Sequence, residues 1–105
     1  LAISDVDLTS IISNGLENAM HAAAKCQQGE RKIFFDLRNN DKNMILRIEN
    51  TYDTAPTFEE GMPISRSDDH GMGTKSIKAV TEKIGGDCRF MLDKGMFVLS
   101  VILWA

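Results

Sequence analysis

The sequence predicts an α+β fold, a two-layer sandwich in which one mixed sheet carries helices on a single face and is more polar on the other. Two segments have apolar residues at helical spacing, and the predicted strands flank them in the order β-α-β-β-connection-α-β-β. The last strand is almost continuously apolar, which is typical of a central strand. This order fits neither a doubly wound parallel sheet nor an antiparallel barrel.

The length of 105 residues allows one small domain, so we assign 1–105 to a single unit. A composition of 43% hydrophobic and 26% charged residues is ordinary for a globular domain. The net charge of −3 disfavours general nucleic-acid binding, so an anion site would need a local basic patch.

Cys26 and Cys88 form no CxxC pair, which predicts buried free thiols in a reducing compartment. No stretch approaches the roughly 18 apolar residues of a membrane span, and no signal peptide is visible, so we expect no direct membrane insertion. The first residue is Leu1 rather than Met, and we therefore expect a fragment of a longer protein.

The first helix is predicted from Asp7, as N-cap, to Gln27 or Gln28, with Gly29 at C′. Leu1–Asp5 is an edge strand or a lead-in. A helical wheel gathers an apolar side that consists of Ile12, Leu16, Ala19, Met20 and Ala23.

A polar row lies on the opposite side of this helix, with Asn14, Asn18, His21 and Lys25 at i, i+4, i+7 and i+11. These groups suit a metal ion or an anion. The alternative is that both amides are ordinary exposed residues. Asn is a mediocre helix former, so two of them one turn apart around Gly15 are a costly way to build a solvated face.

Two strands follow, Arg31–Asn39 and Asn43–Asn50, joined by the turn residues Asn39-Asn40-Asp41. Period-two parity places Asn50 on the apolar face of its strand. Unless the strand ends before it, Asn50 is a buried amide that needs a partner.

Residues 51–69 have no sustained periodicity and contain both prolines, Pro56 and Pro63. A structureless connection of this length in a small domain is functional or disordered. We predict a mobile lid.

A second helix is predicted to begin after His70-Gly71-Met72-Gly73-Thr74 and to end at Gly85-Gly86. The strands Asp87–Asp93 and Met96–Trp104 complete the chain, joined by the tight turn Asp93-Lys94-Gly95.

The pair Gly71-x-Gly73 before a helix can cradle a phosphate with free N–H groups, although a plain turn has the same pattern. Lys75 would face the positive end of the helix dipole, a conflict that a bound anion reverses. Arg66 and Lys78 add two cations, unless both are solvated surface residues.

Taken together, these segments resemble the ATP-binding domain of the GHKL superfamily, which includes gyrase, Hsp90-type chaperones, histidine kinases and MutL-type proteins. The matching boxes occur in the family's order and cover nearly the whole chain. They are the N-box at Asn14–Ala19, the G1 box at Ile48–Thr51, the G2 box at Gly71–Gly73 and the final hairpin at Gly95–Phe97. The resemblance implies a Bergerat fold.

Two departures narrow the resemblance. Most members have DxGxG at the G1 box, with the Asp accepting from adenine, whereas this chain has Asn50 and no following glycines. Together with the short lid and the His-Gly-Met-Gly sequence at residues 70–73, this resembles Agr-type peptide quorum-sensing receptor kinases. Asn50 would still accept from adenine N6. Hydrolytic members carry a general-base Glu where this chain has Asn14, and an amide cannot take up that proton. The domain therefore resembles one that holds ATP for an outside nucleophile.

The resemblance also implies a residue set for Mg²⁺ and ATP. Asn18 would ligate Mg²⁺, with Asn14 supporting it directly or through water, and these two are the catalytic candidates. His21 would donate to a phosphate or pack beside the lid. The remaining cofactor-binding candidates are Asn50, Arg66, Gly71, Gly73, Thr74 and Lys75.

By resemblance, the chain is the catalytic domain of a two-component sensor histidine kinase, on the cytoplasmic side of a bacterial membrane receptor. It would donate the γ-phosphate to a histidine on a separate dimerisation domain, which signals to a response regulator. Neither His21 nor His70 resembles that phosphoacceptor. The alternatives are an anti-sigma-factor-like serine kinase and a degenerate, non-catalytic interaction module.

Overall fold

A computed structural model describes residues 3–27, 29–64 and 68–104 of the chain. The elements, in chain order, are α1 (Asp5–Ala24), β1 (Ile33–Asn39), β2 (Asn43–Thr51), β3 (Thr57–Glu59), β4 (Met62–Ile64), α2 (Asp68–Lys83), β5 (Asp87–Asp93) and β6 (Met96–Trp104).

The main sheet has four strands in the order β1-β2-β6-β5, and β3 pairs with β4 in a separate hairpin. The α+β two-layer sandwich is confirmed, as is the central position of β6. The predicted mixed sheet is wrong, because each pair in the four-stranded sheet is antiparallel. The sheet consists of two hairpins, β1-β2 and β5-β6, whose inner strands β2 and β6 run in opposite directions.

The hydrophobic core lies between this sheet and the two helices. Ile11 and Ala19 of α1 and Ile77 of α2 are buried against inward residues of the strands. The strand residues in this cluster are Leu46, Ile48, Cys88, Phe90, Phe97, Leu99, Val101 and Leu103. The opposite face carries ion pairs between residues two apart, such as Arg47 Nε to Glu49 Oε2 at 2.9 Å, which accounts for its more polar character.

Helix α1 starts earlier than predicted, because Ser4 rather than Asp7 is its N-cap. The Ser4 hydroxyl accepts from the Asp7 N–H at 3.0 Å, and the Asp7 carboxylate pairs with Lys83 of α2 instead. The helix also ends earlier, at Ala24, so Gly29, although its φ is +82°, is not its C′ residue. Residue 28 lies outside the described residues.

The buried stripe of α1 is rotated from the predicted one. Its centre is Ile11, Gly15, Ala19 and Ala23. Met20 is 59% exposed, against expectation. The cause is Gly15, where the absence of a side chain lets the backbone approach the sheet. A Cβ there would lie 2.7 Å from Ile48 Cδ1.

Helix α2 begins at Asp68, so Gly71 and Gly73 lie inside it rather than before it, and Lys75 is not in its first turn. This corrects the predicted helix start. A glycine inside a helix costs only about 0.5–1 kcal/mol, which the burial of Ile77 and Thr81 can offset.

The end of α2 is as predicted. Gly85 has φ +78°, and the N–H groups of Gly85 and Gly86 donate to the carbonyls of Glu82 and Thr81, the pattern of a Schellman motif.

The connection between β2 and α2 is less irregular than predicted, since it contains the β3-β4 hairpin. Three-residue strands are too short to show a period in the sequence. Glu60 and Gly61 both have positive φ at its turn. Phe58 stacks on Phe97 with ring centroids 6.2 Å apart, which anchors the hairpin to the core. Residues 65–67 of the predicted lid lie outside the described residues.

Both cysteines are buried and free, as predicted. No helix among the described residues is long and apolar enough to cross a membrane.

Candidate functional site

A cavity of about 250 Å³ opens between the two helices, the end of β2 and the β3-β4 hairpin. Its polar lining comes from three directions, with Asn18 from α1, Asn50 from β2 and Thr74 from α2. The other lining residues are Ala22, Tyr52, Thr54, Pro56, Pro63, Ile64 and Phe97. A mostly apolar cavity with a few converging polar groups is typical of a small-molecule site.

Asn50 forms part of the cavity floor and is 1% exposed. The buried amide predicted from strand parity is therefore present. Its Nδ2 donates to the Thr51 carbonyl at 3.0 Å, which fixes the orientation of the amide. Nδ2 is thus engaged by the protein, and the carbonyl Oδ1 is the acceptor that remains for a ligand.

Asn18 and Asn14 stand one turn apart on α1, yet they lie in different surroundings. Asn18 lines the cavity. Asn14 lies beyond the lining, in a shallow depression nearer the start of α1, and its Nδ2 donates to Ser10 Oγ at 3.3 Å. Of these two amides of the predicted polar row, Asn18 lines the cavity, and Asn14 lies one helical turn away, toward the start of α1.

The other two members of the row are exposed and do not line the cavity. His21 Nε2 lies 3.8 Å from Glu17 Oε1 on the same helix, and Lys25 is the C-cap of α1. Residues at helical spacing share one face of α1, but the row is longer than the cavity. Its members therefore do not all line the same site.

The α2 candidates divide in the same way. Thr74 is buried and lines the cavity, whereas Lys75 lines a neighbouring open cleft with Lys78, Glu59 and Glu60. Gly73 is half-buried, and a Cβ built on it would meet none of the described atoms within 4 Å. The Gly71 backbone is helical. Arg66 lies outside the described residues.

The charges in this neighbouring cleft are mixed, because Lys75 and Lys78 of α2 face the acidic turn of the β3-β4 hairpin. Lys78 Nζ also lies 3.3 Å from Glu82 Oε1. An anion that reached Lys78 would compete with Glu82 and would lie near the carboxylates of Glu59 and Glu60.

Several cavity residues were missed at the level of sequence, notably Tyr52, Ile64 and Phe97. The resemblance places Phe97 in the final hairpin box but assigns it no role in the site, and in the structure Phe97 is the cross-strand partner of Asn50. Phe97 stacks on Phe90 with ring centroids 5.9 Å apart, which holds the apolar wall in place. No sequence pattern marks the hairpin residues Pro63 and Ile64.

Comparison with known proteins shows which family and which folds this chain is similar to. A family model described as the GHKL domain matches residues 3–104. Sensor histidine kinase CitA of Klebsiella pneumoniae is 31% identical over 91 residues, which cover 81% of this chain and 17% of CitA. The chain thus spans about a sixth of the length of that curated relative.

Solved structures agree on the fold. The nucleotide-free catalytic domain of histidine kinase ThkA superposes with a TM-score of 0.74 at 15% identity, covering 96% of this chain and 69% of that one. Histidine kinase AdeS of Acinetobacter baumannii superposes with a TM-score of 0.62 at 16% identity, covering 93% and 45%. At these identities the structural likeness concerns the fold.

Proposed function

This chain belongs to the GHKL domain family, and we propose that it binds Mg-ATP in the cavity between α1 and α2 and presents the γ-phosphate to an outside histidine. It would thus act as the catalytic domain of a two-component sensor histidine kinase. The observation that carries this proposal is the convergence of Asn18, Asn50 and Thr74 on one cavity from three separate elements.

The base of the nucleotide would occupy the apolar part of the cavity. Ligand cavities are commonly about 300–1,000 Å³, so the 250 Å³ space suits part of a nucleotide, with the phosphates extending outside it. Asn50 Oδ1 would accept from the adenine 6-amino group, because Nδ2 is already engaged by the Thr51 carbonyl. Tyr52 and Phe97 supply faces against which a purine packs.

The residues present fit a magnesium ion that is held mainly by phosphate. Mg²⁺ prefers oxygen ligands and keeps several waters, so one or two amide carbonyls suffice. Asn18 would provide the first, and Asn14 would act through water, since it lies beyond the cavity lining. When bound, the ion would neutralise charge on the phosphates.

The α2 residues would act on the phosphate side. Thr74 borders the cavity, and Lys75 and Lys78 lie in the adjoining cleft, toward which the phosphates would extend. Gly71, Gly73 and Arg66 complete the proposed cradle. Because Gly73 and Lys75 are inside α2, cradling would require the start of this helix to rearrange so that its N–H groups become free.

The chain offers no general base at the N-box. Asn14 is an amide that donates to Ser10 and cannot accept a proton from water, and the carboxylate of Glu17 projects toward His21. Holding ATP without hydrolysing it is therefore the chemistry that α1 supports. Phosphoryl transfer is mostly positioning and charge neutralisation, so the attacking histidine can come from another domain.

Titration with a fluorescent ATP analogue, with and without Mg²⁺, tests nucleotide binding. We expect saturable binding whose Mg²⁺ dependence is lost in Asn18→Ala, because the amide that lines the cavity is removed. Glu17→Ala is the matched control one residue away, and its exposed side chain should matter much less. Equal effects of the two substitutions, or no saturable binding, would contradict the proposal.

Two other functions remain to be compared with it. A serine kinase of the same fold would benefit from a carboxylate where Asn14 stands, and a non-catalytic module is suggested by the missing G1 Asp and glycines. Incubation with Mg-ATP and a histidine-bearing dimerisation domain separates them: acid-labile phosphate on the partner is expected for a histidine kinase. Acid-stable phosphate would indicate the serine kinase, and no transfer the inert module.

The cellular setting follows from the same proposal. We place the domain on the cytoplasmic side of a bacterial membrane receptor, with a histidine-bearing dimerisation domain as its direct partner and a response regulator downstream. The narrower resemblance to Agr-type quorum-sensing receptors stays a prediction. Its support is the G1 box at Asn50, the short connection before α2 and the His-Gly-Met-Gly sequence at residues 70–73.

A further inference from the structure

Strand β1 forms one edge of the sheet and is exposed along its whole length. Its side chains Ile33, Phe35 and Leu37 point to the same face as the buried residues of β2, because they pair with Asn50, Ile48 and Leu46. Phe35 and Leu37 nevertheless remain 46% and 40% exposed, since α1 lies over β2. This edge is an apolar surface without a cover among the described residues.

The other edge, β5, is covered. Cys88 and Phe90 occupy the same face of the sheet and are buried beneath α2, with Phe90 only 6% exposed. The two edges share one sequence feature on the opposite face, an Asp and an Arg two residues apart. Asp36 pairs with Arg38 on β1, and Asp87 pairs with Arg89 on β5.

The direction of the free backbone groups of β1 follows from two hydrogen bonds to β2. The Asn40 N–H donates to the Asn43 carbonyl, and the Lys32 carbonyl accepts from the Thr51 N–H. The N–H and C=O groups of successive residues in a strand point to opposite sides, so those of the even-numbered residues point toward β2. The N–H and C=O groups of residues 33, 35, 37 and 39 therefore point to the open edge.

We propose that β1 pairs antiparallel with β1 of a second copy of this chain, about a two-fold axis that passes Leu37. The pairing must join odd-numbered residues to odd-numbered ones, which restricts the axis to a residue rather than a peptide bond. An axis at Asp36 would set two carboxylates opposite each other, and an axis at Phe35 would set Arg38 opposite Lys32. An axis at Phe34 would also oppose unlike charges, Lys32 to Asp36, but it would pair only residues 33–35 of the strand. The Leu37 register opposes Asp36 to Arg38 and pairs residues 35–39, so it joins unlike charges over the longer ladder.

In this register Asp36 of each copy faces Arg38 of the other, twice by symmetry. On the helix-bearing face, Leu37 meets its symmetry mate, and Phe35 lies diagonal to that pair. The ladder adds backbone hydrogen bonds for Phe35, Leu37 and Asn39. Charge complementarity thus identifies a second copy as the occupant, and the proposal goes beyond nucleotide binding and does not depend on it.

Sedimentation equilibrium of the 105-residue chain, over a range of concentrations, tests this interface. We expect a dimer at high concentration that Asp36→Arg or Arg38→Asp each weakens about tenfold or more, because like charges then face each other at two symmetric positions. The double variant, with both substitutions, should restore the dimer. The matched control is Arg89→Asp on the covered edge, which should leave it unchanged.

A cysteine scan checks the register directly. Hydrogen-bonded partners in an antiparallel ladder have Cα atoms about 5.5 Å apart, a separation that a disulfide can span. Leu37→Cys should therefore form a disulfide-linked dimer on mild oxidation, while Phe35→Cys, whose partner would be Asn39, should not. A monomer at all concentrations, a dimer indifferent to the single charge changes, or no rescue by the double variant would each overturn the proposal.

Discussion

The helices α1 and α2 cover the same sheet and border the same cavity, but they use glycine in opposite ways. A Cβ on Gly15 of α1 would lie 2.7 Å from Ile48 Cδ1 and 3.0 Å from Leu99 Cδ2. A Cβ on Gly73 of α2 would meet none of the described atoms within 4 Å. Among the described residues, packing therefore leaves little room for a side chain at Gly15 and leaves open space at Gly73.

This difference bears on function. A glycine inside a helix lowers stability by about 0.5–1 kcal/mol relative to alanine. In α1 the close approach to the sheet offsets that cost. In α2 none of the described atoms packs closely around Gly73, which supports the proposal that backbone freedom in this part of α2 serves a ligand.

The two helices also end differently. The C-cap residue of α1, Lys25, has a right-handed helical conformation with φ −81°. Helix α2 ends in the Schellman motif at Gly85 and Gly86, which leads directly into β5. A Cβ on Gly86, just after α2, would lie 2.7 Å from the Ile102 carbonyl oxygen. Gly86 does not line the cavity, so substitutions there and at Gly73 test two different regions of the same helix.

The largest effect is expected for Gly86→Ala. The new Cβ would lie 2.7 Å from the Ile102 carbonyl oxygen and 2.6 Å from Leu103 Cδ2, and a backbone atom cannot move aside as a side chain can. We expect a loss of about 3 kcal/mol in the free energy of unfolding, measured by urea denaturation. Gly85→Ala is the control: its φ of +78° is strained for alanine, but its surroundings are open, so it should lose less.

The buried thiol beneath α2 should make stability depend on alkaline pH. Burial raises the pKa of Cys88 from 9.0 to about 11. Because the folded state holds this proton more tightly, its contribution is complete below pH 9 and is lost as pH rises toward 11, by on the order of 2–3 kcal/mol. Denaturation at several pH values should show the decline, and Cys88→Ala should flatten it; an unchanged slope in that variant would assign the decline to other groups.

In α1, Gly15→Ala should cost about 1 kcal/mol. The atoms that it would meet are the ends of the Ile48 and Leu99 side chains, which can shift, and alanine favours the helix. Thermal unfolding monitored by circular dichroism measures the change. A variant as stable as the parent chain would show that α1 is not held against the sheet at this point.

The features that the sequence predicts well are those for which neighbouring residues permit only one local structure. The β5-β6 hairpin is one of these, because Lys94 and Gly95 both take positive φ in a two-residue turn between strands with the predicted bounds. Asn50 is another, since period-two parity alone buries it. Family resemblance added the identity of the fold, which periodicity had reached only as a two-layer sandwich.

The features that it misses depend on competition between neighbours. Ser4 and Asp7 can both cap a helix, and Asp7 is used instead in the pair with Lys83. A helical wheel takes no account of how closely a helix approaches its neighbours. It therefore does not predict that α1 packs against the sheet at Gly15 and leaves Met20 exposed. In the site, spacing found Asn18, but Tyr52 and Ile64 reach the cavity through tertiary structure.

The smallest change in stability, and the one most directly tied to function, is expected for Gly73→Ala. Alanine meets open space there and favours the helix, so the free energy of unfolding should rise by about 0.5–1 kcal/mol. If the proposed phosphate cradle requires the start of α2 to rearrange, the same variant should bind the fluorescent ATP analogue more weakly in the presence of Mg²⁺. Gain in stability with loss of affinity separates a functional glycine from a structural one. Gly15→Ala provides the contrast, because it should lose stability while the affinity of its folded fraction is kept. A more stable Gly73→Ala chain with unchanged affinity would remove this glycine from the proposed cradle and leave Asn18, Asn50 and Thr74 as the site.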